Sequence, residues 1–191
     1  MKIIITGSLG HIGKPLTQTL VSHRHAVTVI SSQSERQKDI EALGAVAAIG
    51  SIDNAEFLAS TFRGADAVYS MLPPPAFTRP DLDLMALTRR MANNYVQAMQ
   101  VSGVKRLVHL SSIGAHLEKG SGLILTHHDL ENILNQLTDV GITFMRPTPF
   151  YYNLYSFLEG IKHRDSIASN YGAEALSTGT CKGPSSWPGH G

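Results

Sequence analysis

The chain has one cysteine, Cys181, and one tryptophan, Trp187, among 191 residues. A lone cysteine excludes an internal disulfide framework and any multi-cysteine metal site, and it fits a reducing, cytoplasmic setting. Charge is sparse and balanced, 16 Lys and Arg against 15 Asp and Glu, for a formal net charge of +1. That balance lacks the basic excess on which counterion-driven nucleic-acid binding depends. No run approaches the roughly 18–20 apolar residues of a membrane span, and the apolar opening is cut short by Gly7 and Gly10, too early for a signal-peptide core. What remains is a chain with 42% hydrophobic residues, enough to bury one core.

Apolar runs at residues 3–6, 26–30, 46–49, 67–71, 107–110 and 142–145 read as strands, mostly continuous and therefore covered on both faces. The intervening segments show helical spacing, as in Ile12, Leu16 and Leu20, in Leu84, Leu87, Met91, Tyr95 and Ala98, and in Leu130, Ile133, Leu134 and Leu137. Gly44, Gly103 and Gly141 follow three of these stretches, where a left-handed helix cap would sit. Strand and helix in strict alternation predict a doubly wound α/β fold with a parallel sheet in the order 3-2-1-4-5-6 and helices on both faces. Residues 1–172 are expected to form this domain. In residues 177–191, eleven of fifteen are Gly, Pro, Ser or Thr, so 173–191 is expected to be an irregular tail.

The sharpest local signal is Thr6-Gly7-Ser8-Leu9-Gly10-His11-Ile12-Gly13, placed between the first strand and the first helix. Gly7 permits the tight turn, Gly10 lets backbone approach a pyrophosphate, and Gly13 lets helix pack closely on strand. The phosphates would then rest on the positive end of the helix dipole. Gly7, Ser8, Gly10, His11, Ile12 and Gly13 are accordingly predicted to bind a dinucleotide. At the end of the second strand an NAD site usually carries an acid, whereas this chain has Ser31 and Ser32, with Arg36 four residues on. Hydroxyls and a guanidinium suit a 2′-phosphate, which favours NADP, while Glu35 points toward NAD. The segment Met71-Leu72-Pro73 at the end of the fourth strand would run along the cofactor.

Together with Leu107-Val108-His109-Leu110-Ser111-Ser112-Ile113-Gly114, His127-His128-Asp129-Leu130-Glu131-Asn132 and Thr143-Phe144-Met145-Arg146-Pro147, the glycine loop resembles the atypical short-chain dehydrogenase/reductase superfamily, in its NmrA-like branch. The resemblance covers about residues 1–172 and implies a Rossmann-type, NAD(P)-binding fold with any substrate above the nicotinamide. It implies an adenine contact just after the third strand, where Ser51 replaces the usual Asp and Asp53 is the substitute. It gives Ser111 and Ser112 a place near substrate or nicotinamide, with satisfaction of the strand end as the equal alternative. The family's Tyr and Lys dyad is missing. The residues four after Tyr69, Tyr95, Tyr151, Tyr152, Tyr155 and Tyr171 are Pro73, Met99, Tyr155, Ser156, Glu159 and Ala175, and alignment on Glu131 puts Leu123 and His127 at the dyad positions. His127 is thus a candidate cofactor or substrate contact, Lys119 reads as solvated surface, and no catalytic residue is assigned.

These residues lead to three expectations: an NADPH-dependent oxidoreductase of a small, quinone-like acceptor in which solvent or a histidine gives the proton; a non-catalytic redox sensor with a protein partner; or an inactive remnant. Relatives continue into a substrate lobe where this chain turns Gly/Ser/Pro-rich, so C-terminal truncation is expected, with an unprotected sheet edge that favours a homodimer.

Overall fold

The computed structural model describes residues 1–73 and 83–164. Six strands, β1 Lys2–Ile5, β2 Ala26–Ser31, β3 Val46–Ile49, β4 Ala67–Met71, β5 Arg106–Leu110 and β6 Gly141–Met145, alternate with helices α1 Gly13–Ser22, α2 Gln37–Ala42, α3 Ala55–Phe62, α4 Leu84–Ser102 and α5 Leu125–Leu134. A 3-10 turn, Tyr151–Phe157, leads into α6 Leu158–Arg164. The strands form one sheet in the order β3-β2-β1-β4-β5-β6. Every pairing is parallel, with Ile4 opposite Thr28 on one side of β1 and opposite Val68 on the other. This is the Rossmann-type sheet expected from the alternating pattern.

Alternation along the strands divides the core in two. Ile3, Ile5, Val27, Val29 and Ile40 pack on the face covered by α1 and α2, whereas Ile4, Ile30, Val68 and Leu107 turn the other way. There they meet Leu58 and Phe62 of α3, Tyr95 and Met99 of α4, and Leu130 and Leu134 of α5. Local chemistry fixes the helix ends. Asn54 and Asp83 accept the main-chain N–H groups of Phe57 and Ala86 at 3.0 and 2.9 Å, capping α3 and α4. Gly44 and Gly103 hold φ of 81° and 74° after α2 and α4, the predicted left-handed caps. Gly141 departs from its predicted role: α5 ends at Leu134, and Gly141 instead opens β6, its N–H donating to the Lys105 carbonyl at 2.8 Å. Leu137, expected on the α5 stripe, lies beyond the helix and is still buried, because the connection doubles back onto the core. β6 also differs from the fully covered strands, with Ile142 and Phe144 against the core and Thr143 and Met145 exposed. The domain boundary at residue 172 and the tail after it lie outside the described residues.

Parallel strands leave their carboxyl ends on one edge of the sheet, and the order reverses between β1 and β4, so a crevice opens there. Thr6, just past β1, is fully buried beneath it. Its hydroxyl oxygen accepts the Met71 N–H at 3.1 Å and the Tyr95 hydroxyl at 3.0 Å. Burial pushes the Tyr95 phenol up to about 12, with the Thr6 hydrogen bond opposing. Tyr95→Phe should therefore cost about 1–2 kcal/mol in urea unfolding, the worth of a buried hydrogen bond whose partner keeps a second donor. A loss below about 0.3 kcal/mol would show that the phenol contributes nothing to the base of the crevice.

Candidate functional site

The glycine loop rises from this base. Gly7 has φ of 92°, and a Cβ there would strike the Met71 side chain, so glycine is required twice over. Gly13 is buried, and a Cβ on it would collide with the Ser8 carbonyl. Gly10 is different: its Cβ would find only the Gly7 carbonyl oxygen, 3.9 Å away. The polypeptide itself does not need glycine at this position, and the space over it is open. The helical ladder starts with Lys14 N–H to the Gly10 carbonyl and Leu16 N–H to the Ile12 carbonyl, both at 3.1 Å. The amides of residues 10–13 thus precede the ladder and form the positive end of α1.

Beside the loop lies a cleft of about 370 Å³, bounded by Gly7 and Ser8, by Ser31 and Ser32 at the end of β2, by Asp53, and by Met71 and Pro73. Ser8 and Ser31 join its two banks through their hydroxyls at 3.0 Å, and Ser31 also accepts the Gln33 N–H at 3.2 Å. Ser31 is nearly buried by these contacts, whereas Ser32 is exposed at the mouth. Arg36, in the short turn Ser34–Arg36, is held by the Gln33 side-chain oxygen at 3.4 Å and by Asp39 at 3.7 Å. Asp53 receives the Arg90 guanidinium at 3.1 Å.

The other predicted residues are distributed unequally. Met71 and Pro73 border the cleft, and Leu72 packs against the core between them. His11 stacks on Tyr152 with centroids 4.4 Å apart, so its ring faces the segment after β6 and only its main chain belongs to the loop; Ile12 is the residue before α1. Ser111 is buried, and its hydroxyl donates to the Glu131 carboxylate at 2.5 Å. The same carboxylate is gripped by the Arg146 guanidinium through both of its oxygens. Burial pushes the Glu131 carboxyl up, but the hydrogen bonds of Arg146 and Ser111 outweigh it and hold the group below the usual carboxylate range. The Ser111 side chain thus ties the end of β5 to Glu131 on α5. His127 stands on the first turn of α5, with its Nδ1 buried and without a hydrogen-bond partner among the described residues.

Sequence reasoning assigned no role to Thr6, Tyr95, His109, Glu131 or Arg146, although they frame the site. Period-two alternation was the available signal for His109, since it places residues 107, 109 and 111 on one face of β5. Among the described residues no three His, Cys, Asp or Glu side chains gather as a metal site, and no helix is long and apolar enough to cross a membrane.

Comparison with known proteins agrees with this geometry. The chain is 27% identical over 172 residues to the (4-alkanoyl-5-oxo-2,5-dihydrofuran-3-yl)methyl phosphate reductase of Streptomyces griseus, covering 89% of this chain and 55% of that one. It spans about half the length of this relative. The Citrobacter triphenylmethane reductase, solved with NADP(H), superposes with a TM-score of 0.68 at 21% identity, over 85% of this chain and 54% of the other. The Escherichia coli NADPH-dependent quinone oxidoreductase, solved with NADPH, gives 0.71 at 19% identity, over 84% and 54%. The family model described as NAD(P)H-binding matches residues 7–151, which include the glycine loop, the cleft and the Glu131 cluster, and the chain belongs to that NAD(P)H-binding family.

Proposed function

We propose that the chain is an NADPH-dependent oxidoreductase that acts on a small, quinone-like acceptor without a Tyr/Lys dyad. The open space at Gly10 carries this reading, because Gly10 stands just before α1 on the loop whose Gly7 and Ser8 border the cleft, and a Cβ on it would meet only the Gly7 carbonyl oxygen. In this account the amides of Gly10, His11, Ile12 and Gly13 bind the diphosphate. Gly7 and Ser8 shape its entry, Ser31 and Ser32 border the ribose, and Arg36 pairs with the 2′-phosphate. Asp53 faces the adenine side, and Met71, Leu72 and Pro73 supply backbone and apolar surface further along. His127 lies toward the nicotinamide end, with Ser111 holding the strand end beneath it. A bound nicotinamide nucleotide supplies hydride at that end. The protein's part is to orient the ring and the acceptor and to keep competing water out. The reductases that share the fold act in the same sense, and a soluble, cytoplasmic protein, self-associating through its sheet edge, is the setting we propose.

Fluorescence titration with NADPH and NADH, followed by addition of 1,4-benzoquinone while the nicotinamide absorbance is watched, tests the reading. Saturable binding with turnover is expected. Binding without turnover would replace the enzyme by a redox sensor or an inactive remnant, and no binding would remove both. In the same assay Arg36→Ala should weaken NADPH by roughly tenfold, the loss of one charge-assisted hydrogen bond, and NADH by less than about twofold. Equal losses would leave no case for a 2′-phosphate contact.

A further inference from the structure

Three stacked rings join the glycine loop to the segment that follows the edge strand β6. His11 lies on Tyr152 with centroids 4.4 Å apart and planes 20° from parallel, and Tyr152 lies on Phe150 at 5.3 Å and 15°. His11 sits between Gly10 and Ile12, where the main-chain N–H groups precede the ladder of α1.

Away from the stack, the two partners are held by different parts of the domain. The Ser8 N–H donates to the Ile30 carbonyl at 3.1 Å, and Leu9 packs on the core cluster of Ile3, Ile5 and Val29. The segment after β6 starts from another strand, where the Ile113 N–H donates to the Pro147 carbonyl at 3.0 Å. Further on, the Asn153 N–H to Phe150 carbonyl bond at 2.9 Å and the Ser156 hydroxyl to Asn153 carbonyl bond at 2.7 Å stay within the segment. Tyr151, Leu154 and Tyr155 are 49%, 50% and 71% exposed, so this turn buries little apolar surface with which to hold itself in place.

From these contacts we infer that the His11–Tyr152–Phe150 stack couples the nucleotide loop to the apolar turn Tyr151–Phe157, with Tyr152 as a positioning residue for the loop. The inference rests on the proposed NADPH site only for which ligand occupies that loop. A ring held flat against Tyr152 restrains the Cα of His11, and with it the two peptide groups on either side, one of which carries the His11 N–H. Gly10 before it has no side chain to do the same. Amides that must converge on one anion bind it more tightly when they are ordered in advance. The effect is reciprocal by linkage: a nucleotide that prefers the ordered loop favours the stacked state of Tyr152, and so orders the turn that carries it. An aromatic pair of this kind corresponds to roughly two- to tenfold in a binding constant when it is lost. The exposed apolar surface of the turn thereby follows the occupancy of the nucleotide site.

NADPH titration and amide hydrogen exchange on the full chain test the coupling. Tyr152→Ala and His11→Ala should each weaken NADPH by roughly two- to tenfold, the double variant should lose no more than the worse single one, and Tyr152→Phe, which keeps the stack, should stay within about twofold of the parent. Saturating NADPH should slow exchange in residues 151–157 of the parent and leave it unchanged in Tyr152→Ala. Additive losses, a Tyr152→Phe protein as weak as Tyr152→Ala, or no slowing of residues 151–157 in an NADPH-saturated parent would overturn the inference while the cofactor reading stands. If the parent binds no NADPH, the cofactor reading falls, and ligand-free exchange decides the restraint by itself. Residues 9–12 should then exchange severalfold faster in Tyr152→Ala than in the parent, and equal rates would overturn it.

Discussion

NADPH affinity is expected to fall at least about 100-fold in Gly10→Leu, because an isobutyl group there fills the space a diphosphate would take against the helix amides. The unfolding midpoint should stay within roughly 3 °C of the parent, since Gly10 has no left-handed φ and a Cβ on it meets only one atom, 3.9 Å away. Few glycines separate binding from folding so cleanly. Gly13→Ala, by contrast, drives a methyl group into the Ser8 carbonyl and should lower stability before any nucleotide is added. Isothermal titration beside thermal unfolding reads both quantities on one sample. A Gly10→Leu protein that binds NADPH like its parent would show that the phosphates do not rest on this loop.

Arg146→Ala should destabilise the fold by about 2–4 kcal/mol, the range for breaking a buried ion pair, moderated because the arginine side chain is 41% exposed while Glu131 is 5% exposed. The carboxylate would be left with the Ser111 hydroxyl alone. Replacing Glu131 as well, as in Glu131→Gln with Arg146→Ala, should recover part of the loss, because no buried charge then lacks its counterion. The pH dependence has a definite sign. The folded-state pKa of Glu131 lies below its unfolded value, so the pair's stabilisation is complete above the ordinary carboxylate range. It is lost as pH falls through the depressed folded value. Urea unfolding between pH 7 and pH 3 should show this contribution in the parent and its absence in the double variant. A parent and an Arg146→Ala protein of equal stability at pH 7 would show that the pair contributes nothing net.

How far the residues announced this structure depends on the range of the interaction. Continuous apolar runs located β3 and β4 to the residue, and the other four strands within one residue at either end. Burial on both sides leaves a segment such as β4 no alternative to a central parallel strand, whereas β3 is a similar run that forms an edge strand with no buried residue. Gly44 and Gly103 were legible as caps because backbone conformation is a local matter, whereas Gly141 was misjudged because the loop before β6 doubles back for reasons set by Leu137 and the core. The glycine loop could be read as a unit. The difference between Gly10 and Gly13 could not, since it depends on which atoms stand opposite each Cα. Long-range side-chain pairs were the least legible. Nothing local to Ser111 announced that its hydroxyl donates to Glu131, twenty residues away, and His109 was one polar letter in an apolar strand.

The hydroxyl of Thr6 has a bearing on how readily a ligand could be captured. A single oxygen atom ties the start of the nucleotide loop to the last peptide of a neighbouring strand and to the middle of a nineteen-residue helix. Anchored from both of these elements, the start of the loop arrives at the encounter already ordered. Little conformational freedom is left to surrender when a nucleotide docks, and more of the contact energy is retained as affinity.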